Sequence, residues 1–183
     1  VGGINSRWQA AYSLSKMLMG GHDQGQIGPG FAREMVRVFE AASSDDPRVR
    51  RYLALAMGKV DDPAIVPSLI SALDDPDGET RIYAILSLGV QGDPSAALPL
   101  VEMASNGDDG TRKAAVYALG QLQDPRVRPA LVAALKDRAP DVRWNAALQL
   151  GRMRDDAGMG VLMEMLDREY LEPLPQMSAD QRG

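Results

Sequence analysis

Gly58, Gly89, Gly120 and Gly151 follow one another at intervals of 31 residues. The same neighbours return around each glycine. An arginine stands eight positions before it (Arg50, Arg81, Arg112, Arg143) and an aspartate four positions after it (Asp62, Asp93, Asp124, Asp155). The residue just before each glycine is Met57, Leu88, Leu119 or Leu150. A fixed period of this length requires a solenoid. Each period is one supersecondary unit whose apolar stripe can be covered only by the units on either side.

Within a unit the signals are those of two helices. Asp46-Pro47 places a capping carboxylate before a first-turn proline, and the helix it opens runs from near Val49 to Met57. The recurring glycine is expected to close that helix in a left-handed conformation. Asp-Pro then recurs at 62–63, 93–94 and 124–125 and opens a second helix. Its apolar positions are Val66, Leu69 and Leu73, then Ala97, Leu100 and Ala104, then Leu131 and Leu135, then Met159, Leu162 and Leu166.

Residues 1–45 read as a divergent first unit. Arg7-Trp8-Gln9-Ala10-Ala11-Tyr12-Ser13-Leu14 parallels Arg143 to Leu150, with Ser15 in the glycine's place. Extra residues enter between Gly20 and Gly30, a glycine-rich loop, and Phe31, Met35, Val38, Phe39 and Ala42 follow at helical spacing. The expected architecture is all-α, a right-handed α-solenoid of about five helical hairpins. The units span about 1–45, 46–76, 77–107, 108–138 and 139–170, and a polar tail covers 171–183.

Composition narrows the chemistry. The net charge of −5 and pI near 4.9 argue against a general nucleic-acid binder. The chain has no cysteine, hence neither disulfides nor thiolate chemistry. His22 is the single histidine, set beside Asp23 in the glycine-rich loop, which is too little for a metal site or a nucleophilic triad. Gly25 to Gly30 lacks the lysine and the preceding strand of a phosphate cradle. The sequence implies no cofactor. Methionines 17, 19, 153, 159, 163 and 165 read as core filler, with a sticky patch near the last unit as the lesser alternative. No apolar run is long enough to span a membrane. A cytoplasmic location is expected. The chain starts at Val1 and reads as a fragment, so a leader or membrane tether could lie in a missing flank.

The run Val49-Arg50, Ala54, Ala56-Met57-Gly58, followed by Asp62-Pro63, resembles the HEAT repeat. It is most similar to the bacterial type of about 31 residues, the phycobilisome-lyase-like repeats, clearly over 46–170 and loosely over 1–45. Thr80-Arg81 and Thr111-Arg112 depart mildly from the Val-Arg pair. The resemblance implies that the arginine and aspartate columns form a structural ladder joining successive repeats. It also implies that the first helix of each hairpin lines the concave face. Two rival activities come with it: a bilin (tetrapyrrole) lyase or chaperone, and nucleic-acid binding of the HEAT-like DNA glycosylase kind. Iron-binding HEAT hydroxylases, which use several His-Glu pairs, do not fit a chain with one histidine.

At 100° per residue, the side of each first helix turned away from the core carries four slots. They hold Trp8, Gln9, Tyr12 and Lys16, then Arg51, Tyr52, Leu55 and Lys59, then Ile82, Tyr83, Leu86 and Val90. The last two sets are Lys113, Ala114, Tyr117 and Gln121, and Trp144, Asn145, Leu148 and Arg152. These slots gather both tryptophans and several cations, and none holds a carboxylate. Aromatic residues and arginine are enriched where proteins bind one another. The expected function is a non-enzymatic scaffold that holds an acidic or apolar protein or peptide on this concave face. The residues expected to carry it are Trp8, Tyr12, Arg51, Tyr52, Lys59, Tyr83, Leu86, Lys113, Tyr117, Trp144 and Arg152.

Overall fold

The computed structural model describes residues 4–20, 30–42, 46–122 and 124–166, and every element within them is helical. The α-helices are α1 Ile4–Met19, α2 Phe31–Ala41, α3 Pro47–Met57, α4 Val66–Ser71, α5 Gly78–Gln91, α6 Ala97–Asn106, α7 Asp109–Gln121, α8 Arg128–Ala134, α9 Pro140–Arg152 and α10 Met159–Leu166. They pair into hairpins that stack as an α-solenoid. The odd-numbered helices pack on each other along the whole array, while the even-numbered ones meet more sparsely. The more tightly spaced odd layer is therefore the inner side of the arc. Stretch 21–29 with His22, and the tail 171–183, lie outside the described residues.

Local chemistry accounts for the element boundaries. The Asp46, Asp77 and Asp108 carboxylates accept from the backbone N–H groups of Arg48, Thr80 and Thr111 and so cap α3, α5 and α7. The Asp62, Asp93, Asp124 and Asp155 carboxylates accept from Ala64, Ser95, Arg126 and Ala157. Each caps a short 3-10 turn that leads into the outer helix, so the outer helices start three residues later than the Asp-Pro pairs suggest. The core is aliphatic. Met57, Leu88, Leu119 and Leu150 are buried completely, as are Leu69, Leu100 and Leu131 from the outer layer.

The recurring glycines do not close their helices in a left-handed turn. Gly58 has φ −64°, and Gly89, Gly120 and Gly151 lie inside α5, α7 and α9. The left-handed stop belongs to Gly92, φ 68°, whose N–H donates to the Leu88 carbonyl. What fixes the recurring glycine is close approach between inner helices. A Cβ on Gly89 would lie 2.9 Å from Ala118 Cα, and one on Gly58 would lie 2.5 Å from Ser87 Oγ. One on Gly120 would lie 2.3 Å from Gln149 Oε1. At Gly151, which has no further described helix against it, the nearest atom is Leu162 Cδ1 at 3.9 Å. Ser87 Oγ donates to the Ala54 carbonyl at 2.8 Å across the same contact.

The arginine column also stitches neighbours together, with partners other than the expected ones. None of Arg50, Arg81, Arg112 and Arg143 bonds to Asp62, Asp93, Asp124 or Asp155; those carboxylates cap their own turns, and Asp124 and Asp155 pair instead with Arg126 and with Arg128 of the preceding repeat. Arg50 donates to Asp75 at 2.6 Å and to the Phe39 carbonyl at 2.9 Å, with its guanidinium over the Phe39 ring. The buried Arg112 makes a two-pronged pair with Asp137, both contacts 2.7 Å, and donates to the Gly107 carbonyl. One period between Asp75 and Asp137 stands Asn106. Arg81 accordingly turns to the Asp75 carbonyl at 2.8 Å and reaches Asp108 only at 3.5 Å. Arg143 donates to the Asp137 and Arg138 carbonyls. The Arg112 hydrogen bonds hold the Asp137 carboxyl below its ordinary value, against the opposing effect of burial.

The methionines expected as filler are in part exposed: Met17 and Met19 at the end of α1, and Met159 and Met163 on α10. They sit on the outermost hairpins, where no further described repeat covers them.

Two predictions follow from this packing. Alanine normally improves on glycine inside a helix by roughly 0.5–1 kcal/mol. Gly151→Ala is expected to show that gain in urea unfolding, whereas Gly89→Ala is expected to lose about 1–3 kcal/mol because its Cβ meets backbone. Asp137→Ala, which leaves the buried Arg112 only the exposed Asp109 at 3.1 Å and the Gly107 carbonyl, is expected to cost about 2 kcal/mol, against about 1 kcal/mol for the pure cap Asp93→Ala. Since Asp137 titrates lower folded than unfolded, its contribution is complete above about pH 4 and drains as pH falls toward the folded value. Acid titration of stability should therefore be shallower in Asp137→Ala than in the parent.

Candidate functional site

The four slots of the odd helices form four rows that cross the solenoid. Along the helices the first two rows lie about 1.5 Å apart, the second and third about 4.5 Å and the third and fourth about 6 Å, and neighbouring helices stand about 10 Å apart. Among the twenty positions only Ala114 is buried. The third row, Tyr12, Leu55, Leu86, Tyr117 and Leu148, is apolar from end to end. Tyr12 is 39% exposed, Tyr117 40% and Leu148 47%, with Leu55 and Leu86 half-buried between them. The row is an open surface.

At the N-terminal end the rings gather. Tyr12 meets Tyr52 edge-on at 5.0 Å between centroids, and Trp8 lies 6.4 Å from Tyr52. The Arg48 guanidinium sits 4.8 Å above Trp8 and the Lys16 ammonium 5.6 Å from the Tyr12 ring. Trp8, Tyr52 and Tyr83 lean on the core with one face, which holds their orientation. Trp144 on α9 is half-buried.

The cations of this face divide into two kinds, a distinction the slots alone do not reveal. Arg51 in the first row makes a two-pronged pair with Asp77, at 2.8 and 2.7 Å, and contacts Glu79 at 2.7 Å. The Arg51 hydrogen bonds, with help from Thr80, hold the Asp77 carboxyl far below its ordinary value. Lys113, also in the first row, meets Asp141 at 2.6 Å. The expectation of a face without carboxylates is thus corrected along this edge. Acids at the start of α5 and α9 lean over from the following repeat and neutralise two of its cations. The shared 28-residue spacing of Arg51 to Glu79 and Lys113 to Asp141 was visible in the sequence, but its meaning depends on how closely the inner helices approach.

The opposite edge, formed by the last turns of the odd helices, differs. Lys16, Lys59, Val90, Gln121 and Arg152 form the fourth row. No ion pair joins Lys16, Lys59 or Arg152 to a carboxylate among the described residues. Two clefts indent this edge. One of about 490 Å³ lies between the ends of α7 and α9 and is lined by Gly120, Gln121, Pro125, Arg152 and Met153. The other, about 280 Å³, is lined by Gly58, Lys59, Val60, Asp61, Val90 and Gln91. The described residues hold no group of His, Cys, Asp and Glu able to bind a metal ion, and no described helix is long and apolar enough to cross a membrane.

The chain matches the family model for HEAT repeats over residues 36–117 and 98–173. No curated protein sequence matches it. Among solved structures it is similar to the complex of CpcE and CpcF of phycocyanin lyase from Nostoc sp. PCC7120. That match has a TM-score of 0.72 and 22% identity, and covers 91% of this chain and 66% of that one, a little under two thirds of its length. A second similar structure, human deoxyhypusine hydroxylase in complex with glycerol, has a TM-score of 0.46 and 17% identity, covering 88% and 91% of the two chains. At these identities the structural likenesses speak to the fold alone. The family match spans most of the chain and coincides with the stacked hairpins: this protein belongs to the HEAT-repeat family.

Proposed function

We propose that this protein is a non-enzymatic scaffold that holds a protein or peptide segment on the inner face of the solenoid. The observation that carries the reading is the open apolar third row, flanked by aromatic rings seated on the core. Contiguous exposed apolar surface of this kind marks interaction sites, and rigid aromatic anchors supply much of the energy at interfaces. The arginine and aspartate columns are structural, since every arginine is engaged by the adjoining repeat or by the turn before its own helix.

The rival reading is a bilin lyase or chaperone, suggested by the phycocyanin lyase fold. That likeness, at 22% identity, extends to architecture only. Nucleic-acid binding has less support, since acids of the following repeats neutralise Arg51 and Lys113 on this face.

Cross-linking followed by mass spectrometry, with Tyr117→Ala and Trp144→Ala as paired variants, tests the scaffold. Both changes are expected to weaken partner capture about tenfold or more while circular dichroism stays unchanged. Covalent transfer of a bilin to an apo-acceptor protein, with partner capture unaffected by either change, would favour the lyase instead.

A further inference from the structure

The α7–α9 cleft brings together two donors that the protein itself leaves unmatched. Arg152 is exposed, meets no carboxylate among the described residues, and donates only a long 3.5 Å bond to Gln149 Oε1. Gln121 Nε2 is buried and has no hydrogen-bond acceptor. A buried amide N–H without an acceptor is unfavourable, and an acceptor brought to it is correspondingly favoured. A turn about the terminal bond of Gln121 would present it to the cleft.

The equivalent place between α3 and α5 shows what a satisfied end looks like. There Gln91 Nε2 donates to the Met57 and Val60 carbonyls at 2.9 and 2.8 Å, so the amide that lines the smaller cleft already has its acceptors. Met153, two periods after Gln91, stands in the equivalent place at the end of α9 and has no N–H on its side chain to do the same at the end of α7. The α7–α9 cleft thus has the Arg152 guanidinium and the Gln121 side chain in its lining, and no acid among the described residues that line it.

Charge complementarity selects the occupant. A carboxylate can accept from both an arginine and a primary amide, and a neutral amide or hydroxyl gains less from the guanidinium. The same edge carries Lys59, and beyond it Lys16, without ion pairs, although the exposed Asp61 shares the Lys59 cleft. The parallel first-row edge is already neutralised by Asp77, Glu79 and Asp141. An acidic ligand lying on the apolar third row thus has its counter-charges on one side only.

We propose that the cleft between the C-terminal ends of α7 and α9 is a carboxylate-binding site, in which Arg152 and Gln121 receive an aspartate or glutamate side chain of an acidic peptide whose apolar residues lie on Tyr117 and Leu148. This rests on the scaffold reading and adds to it the partner's chemistry and orientation. Its acids face the last turns of the odd helices. With those helices about 10 Å apart and an extended chain rising about 3.3 Å per residue, about three residues of the peptide span one helix-to-helix step.

The test uses the full chain and two fluorescein-labelled twelve-residue peptides of alternating Glu with Leu or Tyr, the second having Gln in place of every Glu. Binding is read by fluorescence anisotropy. Arg152→Ser is expected to weaken the Glu peptide about tenfold and Gln121→Leu about threefold, with little effect of either on the Gln peptide. Lys136→Ser, in the turn after α8, serves as control and is expected to change neither. The Gln121 side-chain amide resonance is expected to shift with the Glu peptide and not with the Gln peptide. Equal affinity of parent and Arg152→Ser for the Glu peptide overturns the site, as does equal weakening of both peptides or binding of neither. A loss of both peptides in Tyr117→Ala with Arg152→Ser unaffected removes this site and leaves the scaffold reading standing. Tighter binding of a single-stranded oligonucleotide than of the Glu peptide also overturns the proposal.

Discussion

The contact between consecutive inner helices is what the architecture depends on. At Gly58, Gly89 and Gly120 the neighbouring helix lies so close that a Cβ would fall within 3 Å of it. That approach sets the spacing of the inner layer, and the spacing makes it the inner layer. It also aligns the slots of successive helices into rows, so that a surface forms across the repeats. The arginines act at the other end of the same helices. Arg50 and Arg112 each fix the start of the next hairpin by binding the carboxylate that precedes it. Glycine contact and arginine rung together define the geometry of one repeat against the next at two points.

Exposure and charge on the inner face follow from that geometry. Because neighbours stand close, the first-turn acids of one repeat lean onto the first-row cations of the previous one and neutralise them. At the last turns Asp61 shares the Lys59 cleft without pairing, and no ion pair engages Lys16, Lys59 or Arg152 among the described residues. The two edges of the face therefore differ in chemistry although each is built from the same kinds of residue. A partner meets an asymmetric surface, apolar in the middle and cationic on one side.

The sequence showed the period, the hairpin and the inner helix plainly, because each rests on spacing within one repeat. Asp46, Asp62 and their counterparts could be recognised as caps for the same reason. What escaped depended on contacts between repeats. The glycines looked like helix stops because they precede a turn, yet three of them are there to admit a neighbour and Gly92 is the left-handed stop. The arginines looked like partners of the capping aspartates because both recur every 31 residues. Their acids are Asp75 and Asp137, a column interrupted by Asn106 and so hidden from a search for strict repetition. The unmatched donor on Gln121 could not be read from sequence, since its counterpart Gln91 lies one position out of register and is satisfied by helix-end carbonyls.

The lysines of this chain offer a direct test, because they sample both edges and a place outside the face. Lys16 and Lys59 lie on the free edge, Lys113 on the neutralised edge, and Lys136 in the turn after α8. The decisive measurement is amine-labelling mass spectrometry at each lysine, with and without a bound acidic peptide. Strong protection of Lys59, weaker protection of Lys16 and Lys113, and an unchanged Lys136 are expected. Bound peptide that protects Lys136 while leaving Lys16, Lys59 and Lys113 as reactive as before would contradict the inner face as the binding surface.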